Sequence, residues 1–286
     1  MPEALVRRAP AKANLVLEVL AKRDDGYHEV DTVLQELELA DEVRVTLGSR
    51  SGVTVEGPFA AGVPLDGANL AVKAAVLLAE RCGRSAAHVA IHLVKQIPAA
   101  GGLGGGASDA AAVLKLLQTP WGASDADLLS VANAIGSDEA FFLKGGTARA
   151  QGRGERVQTL PGLARHGIVL FVPPTTIERK TARMFAALDF QPLNDGGVTG
   201  AFARREDGPF TSSDVHNTFE RVAFDVFVGL HGTWVDLETR IGDAVHLCGA
   251  GPTLFWIGSF GEVQRVAAAA SGALCAVIST ATASPH

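Results

Sequence analysis

The chain has 286 residues and a formal net charge of −6, from 25 Lys and Arg against 31 Asp and Glu. This balance argues against nucleic acid as the main partner, because phosphate backbones are held by basic surfaces. Hydrophobic residues make up 47% of the chain and charged residues 20%, which is typical of a soluble globular protein with a sizeable core. The length suits two domains. We place their boundary at Pro161-Gly162, which gives domains 1–160 and 161–286.

The three cysteines, Cys82, Cys248 and Cys275, are scattered and form no C-x-x-C pair. This pattern predicts neither a disulfide framework nor a zinc site, and it fits a reducing compartment. The N-terminus shows no apolar segment of a secretion signal, and no run approaches about 18 apolar residues. We therefore expect a cytoplasmic protein without a membrane partner, as a monomer or a weak homodimer.

Hydrophobic periodicity predicts alternating strands and helices in the first half of the chain. The predicted elements are strands at 15–20, 43–47 and 88–98, helices at 69–81, 108–117 and 124–135, and extended chain at 147–160. Ser124 is the predicted N-cap of the third helix, with Asp127 three residues later as its capping-box partner.

The second half predicts a different order. Its elements are strands at 167–172, 244–247, 253–257 and 273–279, helices at 180–188, 217–228 and 261–270, and a mobile loop at 191–213. Such a mixed order favours an α+β fold over a doubly wound parallel sheet.

The most informative segment is the glycine-rich stretch at 98–108, which lies between a predicted strand and a predicted helix. Glycine permits positive φ and lets an anion approach backbone N–H groups, and the N-terminus of the following helix favours phosphate. A flexible linker rarely lies between an apolar strand and an apolar helix. The Walker pattern is excluded because Ala107-Ser108 follows the last glycine, and the spacing fits the dinucleotide fingerprint only loosely.

This loop resembles the second motif of the GHMP kinase superfamily, P-x-x-x-G-L-G-x-x-S-S-A-A. Its extra glycines are similar to the branch that phosphorylates the 2-hydroxyl of 4-diphosphocytidyl-2-C-methyl-D-erythritol, on the non-mevalonate route to isoprenoids. The segments APAKANL at 9–15, RDDGYHEV at 23–30 and GSDEAFF at 136–142 resemble the same branch, and CGAGPT at 248–253 is a weaker match. The resemblance covers roughly the whole chain.

The resemblance implies a two-domain α+β fold, with an N-terminal domain like ribosomal protein S5 domain 2 and a ferredoxin-like C-terminal domain. The chain departs from the family pattern at Ala107, Glu139-Ala140 and Cys248, where the family has Ser, Val-Pro and Ser. None of these changes removes a reactive group from the implied chemistry.

The implied cofactors are ATP and Mg²⁺. Ser108 matches the family's metal-proximal serine, whose hydroxyl can serve a phosphate or Mg²⁺, and Asp109 is a candidate cap of the helix. The alternative is that both residues are only N-caps. Lys95 is either a cation beside the phosphates or a plain surface lysine. The implied ATP-binding positions are Asn69, Lys95, Pro98, Ala99, Ala100, Gly101, Gly102, Leu103, Gly104, Gly105, Gly106, Ala107 and Ser108.

Asp138 matches the family's catalytic aspartate, and Lys12 lies in its own motif. Each stands among apolar residues, where a lone charge is costly, so we expect them to pair and to orient the substrate hydroxyl. The alternative is a structural salt bridge.

Four positions match substrate-binding residues of the branch: Asn14, Tyr27, His28 and Phe185. Tyr27, the only tyrosine of the chain, follows a turn and would stack on the cytosine, and His28 would hydrogen-bond its polar edge. Phe185 would be a second stacking ring or a core residue. Asn217, at a helix start, is predicted to be a cap.

We expect an ATP-dependent kinase whose partner is a small molecule, cytidine diphosphate-linked methylerythritol. Two other functions stay open. Another kinase of the superfamily, for homoserine or mevalonate, would have no base to stack on Tyr27. A nucleotide-binding protein without activity would have no reason to retain both Lys12 and Asp138.

Overall fold

The computed structural model describes residues 4–48, 50–175, 177–204 and 210–284. Its strands are β1 (Ala4–Lys22), β2 (His28–Leu47), β3 (Gly52–Glu56), β4 (Val89–Val94), β5 (Thr147–Gly152), β6 (Arg156–Thr159), β7 (His166–Val172), β8 (His216–Asn217), β9 (His246–Leu247), β10 (Leu254–Ser259) and β11 (Ala276–Ala281). Its α-helices are α1 (Leu70–Arg81), α2 (Gly105–Trp121), α3 (Asp125–Ile135), α4 (Glu139–Lys144), α5 (Lys180–Leu188), α6 (Gly197–Ala203), α7 (Ala223–Val226), α8 (Leu230–Ile241) and α9 (Val263–Ala269). The mixed order confirms the predicted α+β class.

The chain divides into two compact units that are interleaved in sequence. Unit 1 takes its described residues from Met1–Ala11, Leu39–Ala99 and Gly104–Gly145, and unit 2 from Lys12–Glu38, Ala100–Leu103 and Gly146–His286. The long strands β1 and β2 therefore contribute to both. The predicted boundary at residue 160 divides the chain only once, and as a domain boundary it stays a prediction.

Unit 1 is a helical layer on a small sheet. Strand β3 pairs in parallel with β4, and β4 pairs antiparallel with the second half of β2, from Glu42↔Val94 to Leu47↔Val89. Alternate residues of β4 are buried, and they join the apolar faces of α1, α2 and α3 in one core cluster. Helix α3 begins with the predicted capping box of Ser124 and Asp127.

Unit 2 contains an antiparallel sheet in the order β11-β7-β10-β9, whose buried face packs with residues of α5, α8 and α9. Phe171 and Trp256 are fully buried in this cluster. The first half of β2 pairs with β5, β5 pairs with β6, and β8 pairs in parallel with β1 at Val16↔His216. The strands predicted at 244–247 and 253–257 correspond to β9 and β10, which pair antiparallel across the Gly-Ala-Gly-Pro turn.

The helix after the glycine loop differs from its prediction at both ends. It begins at Gly105 instead of Ser108, because Gly104 adopts the left-handed conformation at the N-cap. It also continues through Pro120, since a proline in the last turn removes only one hydrogen bond, and it ends at the left-handed Gly122. Ser108 and Asp109 therefore lie inside the helix, and the prediction that either residue caps it is wrong.

Two further predictions are corrected. The helix predicted at 217–228 is broken into β8, a 3-10 turn and the short α7, because the side chain of Asn217 accepts from Phe219 N at 3.0 Å and ends the strand locally. Asn217 is thus the predicted cap. The loop predicted at 191–213 contains α6, whose Thr199 N and Oγ1 both donate to the buried Glu18. Residues 205–209 of that loop lie outside the described residues.

No helix in the described part of the chain has both the length and the apolar character needed to cross a membrane.

Candidate active site

The glycine-rich loop ends at the N-terminus of α2. Gly104 is the N-cap residue, with φ 74°, and no side chain in the described part of the chain caps this end. Ser108 N donates to Gly104 O at 2.9 Å, which closes the first turn. The backbone N–H groups of Gly105, Gly106 and Ala107 have no acceptor within the helix, and the helix dipole adds a partial positive charge there. This end of α2 can therefore bind an anion such as a phosphate.

Ser108 carries a hydroxyl suited to a bound nucleotide. Its side chain is buried, and its Oγ has no hydrogen-bond partner among the described residues. A buried hydroxyl without a partner is costly, so a ligand or an ion at this position would satisfy it. Mg²⁺ prefers oxygen ligands, and most of them are usually water and phosphate oxygens. A single protein hydroxyl beside an anion site is therefore consistent with Mg²⁺ coordination. The described residues contain no group of three or more His, Cys, Asp or Glu that could hold a metal ion by themselves.

Lys95 is not a surface lysine. It is 3% exposed, and its Nζ donates to Asp109 Oδ2 at 2.5 Å and to Asp41 Oδ2. Burial lowers the pKa of Lys95, but the two carboxylates outweigh it and hold that pKa above its usual value. Burial also raises the pKa of Asp109, in spite of the attraction of Lys95. The ammonium group is therefore already engaged by two carboxylates.

Two other residues predicted to bind ATP, Asn69 and Gly102, also stabilise the local structure. Asn69 is the N-cap of α1, where its Oδ1 accepts from Ala71 N at 2.9 Å and its Nδ2 donates to Pro64 O at 2.8 Å. Gly102 has φ 88°, and a Cβ built on it would lie 2.0 Å from Cys248 O, so only glycine fits there. The contact of these positions with ATP stays a prediction.

Lys12 and Asn14 lie two positions apart, on the same face of β1, and belong to a buried chain of hydrogen bonds. Lys12 Nζ donates to Asn14 Oδ1 at 2.7 Å, and Asn14 Nδ2 donates to Thr32 Oγ1 at 2.8 Å. Thr32 Oγ1 in turn donates to Val16 O at 2.6 Å. This chain of bonds fixes the orientation of both predicted residues, and Thr32, which the sequence did not indicate, is its anchor.

The segment 248–251 packs directly on this chain of bonds. A Cβ built on Gly249, which has φ 54°, would lie 3.1 Å from both Lys12 Nζ and Asn14 Oδ1. The Cys248 Sγ donates weakly to Lys12 O at 3.6 Å. Glycine at 249 therefore leaves the ammonium and amide groups room that a side chain would take.

Asp138 is the N-cap residue of α4 and is half-buried. It belongs to unit 1, whereas Lys12 belongs to unit 2, and the expected pairing of the two stays a prediction.

The neighbouring Glu139 is one of the departures from the family motif, and it is 2% exposed. Its carboxylate folds back over Gly136, where a built Cβ would lie 2.6 Å from Glu139 Oε2. Burial raises the pKa of Glu139 to about 7, and the negative charge of Asp138 adds to the shift. A carboxyl group that is protonated to about half near pH 7 thus stands beside the predicted catalytic aspartate.

This pKa predicts how stability depends on pH. The folded protein holds the Glu139 proton more tightly than the unfolded chain, so the stabilisation is present below pH 4.5 and is lost as the pH rises through about 7. Glu139→Gln, which stays neutral, should match the parent protein near pH 4.5 and exceed it by about 3 kcal/mol above pH 8. Urea unfolding of both proteins across this range checks the prediction, and a difference that does not change with pH would contradict it.

Two of the three predicted base-binding residues, His28 and Phe185, are in contact in unit 2. The ring of His28 stacks on Phe185 with 4.6 Å between centroids and 14° between planes, and His28 Nε2 lies 3.0 Å from Asp189 Oδ1. Hydrogen bonds from Lys22 and from His28 lower the pKa of Asp189. Phe185 also packs on the core cluster of unit 2, as its predicted role of a core residue requires, and its stacking on the cytosine stays a prediction.

Tyr27 remains the exposed member of this group, at 52%, and the Arg153 guanidinium lies 4.8 Å from its ring centroid. The sequence did not indicate Arg153 or Asp189, because neither lies in a motif. The only signal was their chain position, Asp189 just after a helix and Arg153 in a turn between glycines.

Comparison with known proteins identifies the family of the chain. The family model of the GHMP kinases N terminal domain matches residues 69–146. The 4-diphosphocytidyl-2-C-methyl-D-erythritol kinase of Saccharopolyspora erythraea is 43% identical over 285 residues, which cover 96% of this chain and 89% of that protein. The enzyme of that name from Bacillus licheniformis is 37% identical, over 92% of this chain and 91% of its own. A crystal structure of a 4-(cytidine 5'-diphospho)-2C-methyl-D-erythritol kinase superposes with a TM-score of 0.76 at 33% identity, covering 98% of this chain and 100% of that one.

Proposed function

The chain belongs to the GHMP kinases, in the family of the 4-diphosphocytidyl-2-C-methyl-D-erythritol kinases, and from this membership we propose its reaction. It transfers the γ-phosphoryl group of ATP to the 2-hydroxyl of 4-diphosphocytidyl-2-C-methyl-D-erythritol, a step on the non-mevalonate route to isoprenoids. The bond between the γ-phosphorus and the β,γ-bridging oxygen breaks, a bond to the substrate oxygen forms, and ADP leaves with the bridging oxygen.

The group formed by Tyr27, His28 and Phe185 is the observation that carries the choice of substrate. An exposed aromatic ring beside a buried histidine offers a stacking surface and a hydrogen-bonding edge, as a pyrimidine needs. Asp189 holds one ring nitrogen of His28, which orients the ring and leaves the other nitrogen for the base. Homoserine and mevalonate carry no base, so a kinase acting on either would gain nothing from this group.

The glycine loop is proposed to hold the phosphates of ATP. The N–H groups at the start of α2 would receive the phosphate oxygens, and Gly104 and Gly106 would let the backbone approach them. We propose Mg²⁺ as the accompanying ion, with the Ser108 hydroxyl among its ligands. When bound, the ion would neutralise charge on the phosphates.

Asp138 and Lys12 are proposed to serve the acceptor hydroxyl. Asp138 would accept the proton that the 2-hydroxyl loses as its oxygen attacks the γ-phosphorus. Lys12, held by Asn14, would stabilise negative charge that develops at the transferring group. Because the transition state of phosphoryl transfer is loose, much of the benefit of both residues would come from positioning.

The substitution Tyr27→Ala tests the proposed substrate. Stacking one base on an aromatic ring is worth ~1–3 kcal/mol, so the KM for the cytidyl substrate should rise roughly 5- to 150-fold. The KM for ATP should barely change. Steady-state kinetics with each substrate varied in turn measures both constants.

Two further variants make this test specific. Tyr27→Phe keeps the ring and should behave like the parent protein. His28→Ala should also raise the KM for the cytidyl substrate and should weaken discrimination against a uridine analogue, since the lost hydrogen bond would have distinguished the two bases. A change confined to the KM for ATP would contradict the assignment of this group.

The cytoplasmic location, the monomeric or weakly dimeric state and the absence of a nucleic-acid partner stay predictions from the sequence.

A further inference from the structure

Asp41 is a buried carboxylate in the second half of β2, outside every motif of the chain. Its Oδ1 accepts from two backbone groups, Gln96 N at 2.5 Å and Ile97 N at 2.8 Å, and its Oδ2 accepts from Lys95 Nζ. All three donors belong to the segment that leads from β4 into the phosphate loop. A single side chain thus holds the entry of the loop.

The same contacts extend to the exit of the loop. Lys95 Nζ also donates to Asp109 Oδ2 at 2.5 Å, and Asp109 lies one turn after Gly105, the first residue of α2. A Cβ built on Gly105 would lie 3.1 Å from Ile97 Cγ2 and 3.5 Å from Asp41 Oδ2, so the start of the helix is packed against the entry segment. Asp41, Lys95 and Asp109 therefore tie both ends of the loop to β2.

The buried charges of Asp41, Lys95 and Asp109 restrict how far these side chains can move relative to one another. One ammonium group lies between two carboxylates that are almost fully buried. Buried charges are tolerated only when their partners stay in place, so these groups resist any shift of α2 relative to β4. The Lys95 ammonium group is also committed to the carboxylates, which argues for a supporting role rather than a direct phosphate contact.

We propose that Asp41 is a positioning residue for the nucleotide. Acting through Lys95 and Asp109, it holds the N-terminus of α2 so that its free N–H groups converge on one phosphate. The inference rests on the proposed function of the loop and adds to it a residue that the motifs do not contain.

The substitution Asp41→Asn tests this role. The amide oxygen can still accept from Gln96 N and Ile97 N, but the amide nitrogen that replaces Oδ2 cannot accept from Lys95 Nζ, so Lys95 keeps only Asp109 of its two carboxylate partners. We expect the Kd for ATP, measured by calorimetry, and the KM for ATP to rise about tenfold or more, the size of one lost charged hydrogen bond. The KM for the cytidyl substrate should stay close to that of the parent protein.

Glu42→Gln is the matched control, because Glu42 is the next residue of β2 and its side chain, within the described part of the chain, pairs only with Arg44 at the surface. It should leave all three constants unchanged. If Asp41→Asn does not fold, Asp109→Asn removes the other carboxylate of Lys95 and should show the same selective loss of ATP affinity.

Three outcomes in a folded variant would overturn the inference: an unchanged Kd for ATP, an equal rise of both KM values, or tighter ATP binding. The last would mean that Asp41 restrains Lys95 from contacting phosphate directly. Calorimetry with ATP alone needs no acceptor, so the result is independent of the substrate. A parent protein that binds ATP without phosphorylating the cytidyl compound would refute the proposed reaction and leave this inference standing.

Discussion

Asp138→Asn is expected to abolish most of the turnover while ATP binds as in the parent protein. Asp138 begins α4 and lies outside the glycine loop, so its removal should not disturb the phosphate cradle. A positioned proton acceptor contributes typically about 10²- to 10⁴-fold in rate, and kcat should fall within that range. Asparagine keeps the size of the side chain and is itself a good N-cap residue, so the helix should persist. A coupled assay of ADP release measures kcat, and calorimetry measures ATP affinity.

Asp125→Asn is a suitable control for this experiment. Asp125 is a surface acid in the first turn of α3, and among the described residues its carboxylate accepts only from Gln118 Nε2, at 2.6 Å. The control should retain kcat. A folded Asp138→Asn variant with a kcat near that of the parent protein would remove Asp138 from the mechanism.

Local sequence signals predicted much of the fold because the physics behind them is local. The capping box of Ser124 and Asp127 needs only four consecutive residues, and the amphipathic helix α5 was predicted at its observed bounds, 180–188. The glycine run likewise indicated a loop followed by a helix. The predicted start of the helix was three residues too late. The N-cap is Gly104 in the left-handed conformation, whereas serine and aspartate are the residues more often found at an N-cap.

Contacts between distant residues account for what the sequence did not predict. Asp41 meets Lys95 across 54 positions of the chain, and His28 meets Asp189 across 161. Neither pairing leaves a periodic or motif signal, so Lys95 could be either a phosphate ligand or a surface residue until its partners were known. Helix α6 is a similar case, because the buried Glu18 on β1 stabilises it from 181 positions away.

The largest difference in kcat/KM is expected between the cytidyl substrate and the two acceptors without a base, homoserine and mevalonate. Homoserine and mevalonate lack the cytidine that Tyr27 and His28 are proposed to bind, and a site built around hydrogen bonds rejects compounds that leave its polar groups unpaired. Losing the stacking contact and the His28 hydrogen bond together should lower kcat/KM by about 10²- to 10⁴-fold. The γ-phosphoryl donor is ATP in every case, so the difference reports on the acceptor group alone.

The most direct measurement is ADP release by the parent protein with ATP and each of three acceptors: 4-diphosphocytidyl-2-C-methyl-D-erythritol, mevalonate and homoserine. The account predicts rapid release with the cytidyl compound, a product phosphorylated at its 2-hydroxyl, and rates close to the ATP background with the other two. Comparable or faster turnover of mevalonate or homoserine, or no turnover of the cytidyl compound by folded, ATP-binding protein, would contradict it.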